Sequence, residues 1–340
     1  MLEMLKKLVH ANGISGNESC IRNVIIELLC NNVDSIKTDN MGNLIAFKKG
    51  TGESSARAKI MIAAHMDEIG VMVTHIDKNG FIRFANVGWV SPYYAIGQRV
   101  KFDNGIVGTV FYEQKVENMD KLKLDKMFID IGAASYEDAA NLIKIGDTAV
   151  FVSDFIIQDN TIISKVLDNR SGCLLSILAA QFTNEYPNDI YFVFTSQEEV
   201  GIRGAGPAAF GIQPDLAIVL DVTDTGDVPG CKPMEVTMGK GPAIKVKDRS
   251  YIASPHARRL FEKVAIESKI PYQLEIMEDG GTDGGSIHIS GCGVITGGIS
   301  IPVRYIHSPS EMCSVYDIKH GIELLTNILN TPLNEYLNNV

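Results

Sequence analysis

Residues 59–67 read Lys-Ile-Met-Ile-Ala-Ala-His-Met-Asp, an apolar run that ends on two ionisable side chains, His65 and Asp67. A run without polar alternation is what a strand buried on both faces looks like, and such strands belong to parallel sheets covered by helices on each side. In sheets of that kind, ligands bind in the crevice outside the carboxyl ends of the strands. Three further runs repeat the pattern. Residues 190–199 end on Glu198 and Glu199, residues 215–221 on Asp221, and residues 297–307 on His307. A fifth acid, Asp168, stands just ahead of a helix expected to start about Ser171. A single strand-end acid is ordinarily a solvated turn residue and a lone histidine a structural one. Four apolar strands that all end this way mark one edge as a site.

Upstream of this stretch the chain reads as helix, helix, hairpin. Leu2, Leu5, Leu8 and Val9 have helical spacing; Ser15 with Glu18 forms a capping-box pattern ahead of Ile21, Val24, Ile25, Leu28 and Leu29; a turn is expected at Asn40 to Asn43. Downstream, between Gly70 and about Asn160, short strand-like pieces dominate, with one helix candidate around 136–142 and a type I′ hairpin signal at Asn104-Gly105. Long helices and apolar strands return from Ser171. Ser254 and Pro255 suit the start of a helix, strands are expected around 274–277 and 294–302, and Ser314 with Asp317 is expected to cap the closing helix. The reading is an α/β domain formed by residues 1–69 and 164–340, interrupted by a small β-rich domain at 70–163.

The chain has 340 residues, which at about 150 residues per domain fits two. Hydrophobic residues make up 45%, enough for a large core, and a net charge of −10 without a basic run argues against nucleic acid. No apolar stretch approaches the ~20 residues of a membrane span, and the first residues lack a signal-peptide pattern. A soluble cytoplasmic protein is expected. The six scattered cysteines read as buried free thiols of a reducing compartment.

Metal chemistry explains why imidazoles and carboxylates should meet. Zinc and similar cations take both ligand types, and two His with three carboxylates suit a two-metal site in which one carboxylate bridges. Asp168, Glu199 and Asp221 supply three negative charges against four from two divalent ions, and a bridging hydroxide balances the remainder. Asp67, two residues from His65, is placed to accept a hydrogen bond from the non-ligating ring nitrogen. Glu198 and Glu199 are adjacent, so their side chains diverge. One can ligate metal while the other acts as general base, and spacing does not decide which. Thr282 and Asp283, in a Gly-rich turn, suit a substrate pocket or a helix N-cap equally. His288 and His75 read as structural.

Taken in order, residues 63–73, 167–173, 195–205, 220–227, 280–288 and 301–309 resemble the glutamyl or deblocking aminopeptidases, tetrahedral co-catalytic metallo-aminopeptidases some of which carry the label cellulase M or endoglucanase. The resemblance runs from about Asn12 to the final helix; Val303, where relatives often carry Thr, is a departure that touches no ligand. It implies a mixed-sheet metallopeptidase domain with a barrel-like insertion that covers the site and mediates oligomerisation, from dimers to a tetrahedral dodecamer. It implies two divalent ions, Zn2+ or Co2+, with Mn2+ a further option. His65, Asp168 and Asp221 would hold one and Asp168, Glu199 and His307 the other, with Glu198 the base that activates a metal-bridged water and Asp67 the orienter of His65. The implied substrates are short peptides with a free N-terminus, with no nucleic acid or membrane partner. A related carboxypeptidase or N-acyl-amino-acid deacylase would need a cation for the substrate carboxylate, and Arg170, Arg203 and Arg304 lie near the motifs. A catalytically silent scaffold would be expected to lack a ligand or Glu198, and all are present. Glycosidases need two carboxylates free of metal, which disfavours the cellulase label.

Overall fold

The computed structural model describes residues 1–53, 57–116, 118–182 and 185–333. Its centre is a parallel run of four strands, in spatial order Asp189–Thr195, Lys59–His65, Leu216–Thr223 and Ile295–Arg304. The sheet is mixed. Leu44–Lys48 and Ser35–Thr38 extend one side antiparallel, and Glu311–Ser314, Thr161–Ser164 and Ile156–Gln158 extend the other.

The apolar stretch that opened the reading is buried for the expected reason. Ile60, Ile62 and Ala64 point into one core, together with helices Leu167–Phe182 and Val315–Leu329, while Met61 and Ala63 point into the other beneath helix Ala205–Ile212. Successive side chains in a strand face opposite sides, so a strand covered twice must be apolar at every position. No helix among the described residues is long and apolar enough to cross a membrane.

Between Lys59–His65 and the later strands of this sheet the chain builds a separate closed barrel. Its six antiparallel strands run, in spatial order, Gly70–Ile76, Ile82–Val87, Met127–Asp130, Val107–Tyr112, Arg99–Phe102 and Thr148–Phe151, and the last pairs with the first. Alternate residues such as Val71, Val73, Val100, Phe102, Val110 and Ile129 fill it. Helix Tyr136–Leu142 forms as expected; the one-turn helix Pro92–Ala95 and two 3-10 turns were not anticipated.

Several local expectations are corrected. Asn104-Gly105 is not a two-residue type I′ turn: Gly105 alone has positive φ, at +89°, and Phe102 and Ile106 close a three-residue loop by a 2.9 Å hydrogen bond. Helix Ser19–Leu29 has no Ser15 cap: it starts with Glu18 at its N-cap, and Ser15 Oγ donates instead to Asp67 Oδ2 at 2.6 Å. Ser314 does cap the last helix, accepting from Tyr316 N, whereas Asp317 turns away to accept from Gly239 and Gly241. Ser254 and Pro255 open helix Pro255–Glu267 without a side-chain cap bond. All six cysteines are free, but only Cys173 and Cys313 are buried; Cys20, Cys30, Cys231 and Cys292 are exposed.

Candidate metal centre

Because the four central strands are parallel and in register, their carboxyl ends reach one edge together. His65 is the last residue of its strand and pairs with Thr195, three residues before Glu198. The register of the next pair, Val219 opposite Ala63, carried two residues further sets Asp221 beside His65. Asp168 reaches the same edge from the start of Leu167–Phe182, where its own backbone and that of Asn169 are not yet helical.

The resulting contacts form two groups that share one carboxylate. His65 Nε2 lies 3.1 Å from Asp168 Oδ1 and 3.6 Å from Asp221 Oδ1. His307 Nε2 lies 3.2 Å from Asp168 Oδ2 and 3.1 Å from Glu199 Oε2. Within each group, His65–Asp168–Asp221 and Asp168–Glu199–His307, the potential ligand atoms all lie within 4.8 Å of one another. Glu198 is not in either group; the charges that act on its carboxyl are those of His65, Asp221, Asp283 and Glu199.

Electrostatics shows what this arrangement lacks. Burial pushes Glu198 well above the usual carboxylate range and raises Glu199 and Asp221 as well, with like charges adding to it. Burial should lower the imidazoles, but Asp168, Asp221 and Asp67 hold His65 well above its ordinary value, and Glu199 with Asp168 pushes His307 up to about 12. Asp168 itself, between the two rings, is driven below the usual range despite its burial. Without another cation nearby, the carboxylates favour the protonated form of both imidazoles. Divalent cations in the same two places would meet the same need while leaving the imidazoles neutral, and nitrogen with carboxylate oxygen is the donor set such cations take.

The supporting residues differ from a simple orienting pair. The nearest acceptor to His65 Nδ1 is the backbone carbonyl of Asp67 at 3.2 Å, with Asp67 Oδ1 at 3.6 Å. The Asp67 carboxylate, fully buried, also accepts from Ser15 Oγ, from Glu198 N at 3.0 Å and from Glu199 N at 3.2 Å. It therefore ties the turn bearing both glutamates to the strand bearing His65. His307 sits at φ +62°, a left-handed conformation that costs a non-glycine residue about 1–3 kcal/mol.

Thr282 and Asp283 are both buried. Thr282 Oγ1 donates to Asp248 Oδ2 at 2.8 Å, and Asp283 Oδ2 accepts from Thr195 Oγ1. Asp283 occupies the N-cap position of Gly284–Ile287 without a side-chain cap bond, and burial raises it to about 7. His288 bonds its own turn through Gly284 O, and His75 is exposed on the barrel. Of the three arginines, Arg170 is fully buried and donates to Met66 O, Ala11 O and Glu68, while Arg304 makes a two-bond contact with Asp227. Arg203 is exposed, within 3.4 Å of Gln197 Oε1.

Two neighbours escaped the sequence reading. Trp89, the chain's only tryptophan, extends from the barrel to place its ring 5.7 Å from that of His307. Its uniqueness was the one available signal. The preceding Gly88 has φ +74°, and a Cβ there would lie 2.6 Å from Ile69 and 3.2 Å from Glu199, so only glycine lets the loop pass so close. Glu311 accepts from the backbone of both Asp168 and His307. Nothing in its local sequence marks it.

Parallel strands that gather two histidines and a shared carboxylate at one edge offer the donor set of a divalent-metal site. Residues 42–324 match the model of the M42 glutamyl aminopeptidase family, and the chain belongs to it. It is 58% identical over 96% of its length to an Acetivibrio thermocellus protein provisionally named an aminopeptidase, of which the match covers 97%. An aminopeptidase of the archaeon Desulfurococcus kamchatkensis superposes with a TM-score of 0.95 at 36% identity, covering 100% of this chain and 97% of that one. The Pyrococcus horikoshii TET1 peptidase, which can assemble into a tetrahedron or a large octahedral shell, gives 0.87 at 31% identity, with 96% and 98% covered. The protein is an aminopeptidase of a metallopeptidase family, with a mixed sheet and a separate six-stranded barrel.

Proposed function

We propose that the chain is a two-metal aminopeptidase that removes N-terminal residues from short peptides. The observation that carries this reading is the Asp168 carboxylate, which offers one oxygen toward His65 and the other toward His307. His65, Asp168 and Asp221 would hold one ion and Asp168, Glu199 and His307 the other. When bound, such ions act as Lewis acids on a substrate carbonyl and favour ionisation of water. Zinc or cobalt suits the nitrogen and oxygen donors best, and manganese is an alternative.

Glu198 is the general base in this reading. Its raised pKa suits a group that takes a proton from the attacking water and returns it to the leaving amine. Asp67 orients His65 and, through the Glu198 and Glu199 amides, sets where both glutamates stand. The negative edge favours a cationic α-amino group. Arg170 and Arg304 are committed to internal partners, and of the three arginines only Arg203 is left exposed for a substrate carboxylate, which narrows the carboxypeptidase or deacylase reading to that residue. Thr282 and Asp283 are proposed to shape the pocket behind the base.

The inserted region, residues 70–163, is proposed as a lid and assembly element. Trp89 and Phe151 bring the barrel to the cleft that Asp168, Glu199 and His307 line. By likeness to the TET1 peptidase the chain is inferred to form homo-oligomers, built from dimers into a tetrahedral dodecamer, and its six unpaired thiols favour the cytoplasm. Metal-stripped protein should be inactive on aminoacyl-p-nitroanilides and regain activity with two equivalents of Co2+ or Zn2+. Equal turnover of the N-acetylated substrates would refute the requirement for a free N-terminus. Cobalt should also quench the fluorescence of Trp89, and unchanged emission at full occupancy would remove the lid assignment. Light scattering on the full chain tests the assembly; a monomer at all concentrations would refute it.

A further inference from the structure

The two ligand groups are built differently. His65 and Asp221 belong to central strands and are held by the ladder itself. Asp168 and His307, by contrast, lie on segments that have just left the sheet: one follows strand Thr161–Ser164 and the other follows strand Ile295–Arg304. Glu311 opens the strand that pairs with both. Its side chain is buried, with Oε2 accepting from Asp168 N at 3.1 Å and Oε1 accepting from His307 N at 3.0 Å. Each oxygen thus closes one of the two segments onto the same side chain.

We propose that Glu311 is a positioning residue for the second metal group, a clasp that holds the backbones of Asp168 and His307 at the spacing one cation requires. The inference rests on the proposed reading of those two residues as ligands. The chemistry calls for a carboxylate: both partners are N–H donors, and a carboxylate has an acceptor for each. Glutamine, of the same size, has one acceptor and must set its amide N–H groups against the other donor. The first group keeps His65 and Asp221 whatever happens at Glu311, whereas the second depends on Glu311 for two of its three members. Loss of the clasp should therefore act unequally.

The test is a titration of metal-stripped full-length protein with Co2+ alone, followed by calorimetry and by visible absorption of bound cobalt. Wild type is expected to take up two equivalents. E311Q should weaken the two equivalents unequally: the one that keeps His65 and Asp221 and shares only Asp168 with the clasp loses less, and the other binds about 10–100-fold more weakly, the usual loss when a residue supporting a ligand is changed. Coincident two-site isotherms for E311Q and wild type would overturn the proposal, and so would an equal weakening of both equivalents, which is what general loosening produces. A wild type that binds fewer than two equivalents would overturn the two-metal reading itself, and it is recognised without any variant. If E311Q does not fold, Glu311→Asp is read by the same criteria, since it keeps two acceptors but cannot reach both donors; an unchanged second affinity there also overturns the assignment.

Discussion

Two clusters of buried charge lie close together in this fold, and they are satisfied in opposite ways. On strand Ala243–Lys247, Lys245 is 1% exposed and donates to Glu275, with Asp248 Oδ2 3.6 Å away. Burial would lower the lysine, but the two carboxylates hold it above its usual range. Asp248 in turn accepts from Ser250 N, Ser250 Oγ, Tyr251 N and Thr282 Oγ1. The chain supplies its own cation and its own donors. At the strand ends, Asp67, Asp168, Glu198, Glu199 and Asp221 gather around two histidines, and no lysine or arginine pairs with these five acids among the described residues. The first cluster carries its own cation, and the second offers donors that a divalent ion could use. Excess buried carboxylate without a fixed counter-cation distinguishes a site built to bind from one built to hold.

Exchange of single residues should separate the two. Glu198→Gln is expected to retain both metals and lose about 10²–10⁴-fold in kcat; wild-type-like turnover at full metal occupancy would remove Glu198 from the mechanism. Lys245→Met leaves Glu275 and Asp248 without their cation and should cost about 3–5 kcal/mol in urea unfolding, most of it recovered by adding Glu275→Gln. A loss below about 1 kcal/mol would show that this cluster does not hold itself together as described. Stripping the metals should destabilise the other cluster instead, by about 3–4 kcal/mol for each ion whose free concentration had stood at 100–1,000 times its Kd. Identical melting curves before and after verified stripping would erase the contrast.

The smallest effect belongs to a half-exposed pair. Arg304 donates to Asp227 and holds it down to about 2. A lowered carboxylate stabilises the fold above its ordinary value near 3.8 and loses that contribution as the pH falls toward 2. Arg304→Gln should flatten the acid limb in that window, by less than about 1 kcal/mol for so exposed a pair. An unchanged acid limb would show that solvent screens the pair entirely.

The parallel core was legible because burial on both faces leaves a mark in consecutive residues, and Ile60 to Ala64 carry it. His65, Asp168, Glu199, Asp221 and His307 were singled out because strand polarity brings separate sequence positions to a common edge. What escaped involved polar side chains that choose between near and distant partners. Ser15 had the composition of a cap, but the helix starts at Ser19 with Glu18 at its N-cap, and the Ser15 hydroxyl donates to a buried carboxylate 52 residues on. Asp317 made a similar exchange, to two glycine amides. Asn104-Gly105 had the composition of a two-residue turn, yet Phe102 and Ile106 close a three-residue loop around it. Lys245 finds Glu275 and Glu311 finds Asp168 across strands whose pairing no local pattern encodes.

The barrel's first and last strands are direct partners, with Val71 opposite Ala149 and Met72 opposite Thr148. Cross-strand neighbours stand only about 5 Å apart, so the long excursion returns the chain to where it left. For the sheet, everything in between is equivalent to a tight loop. Closing a long flexible loop costs entropy that grows with its logarithm, and here that cost is met inside the barrel by its own ladder. If the barrel zips first, the sheet can assemble as though its strands were near neighbours in sequence, a route to faster folding than the chain length alone suggests.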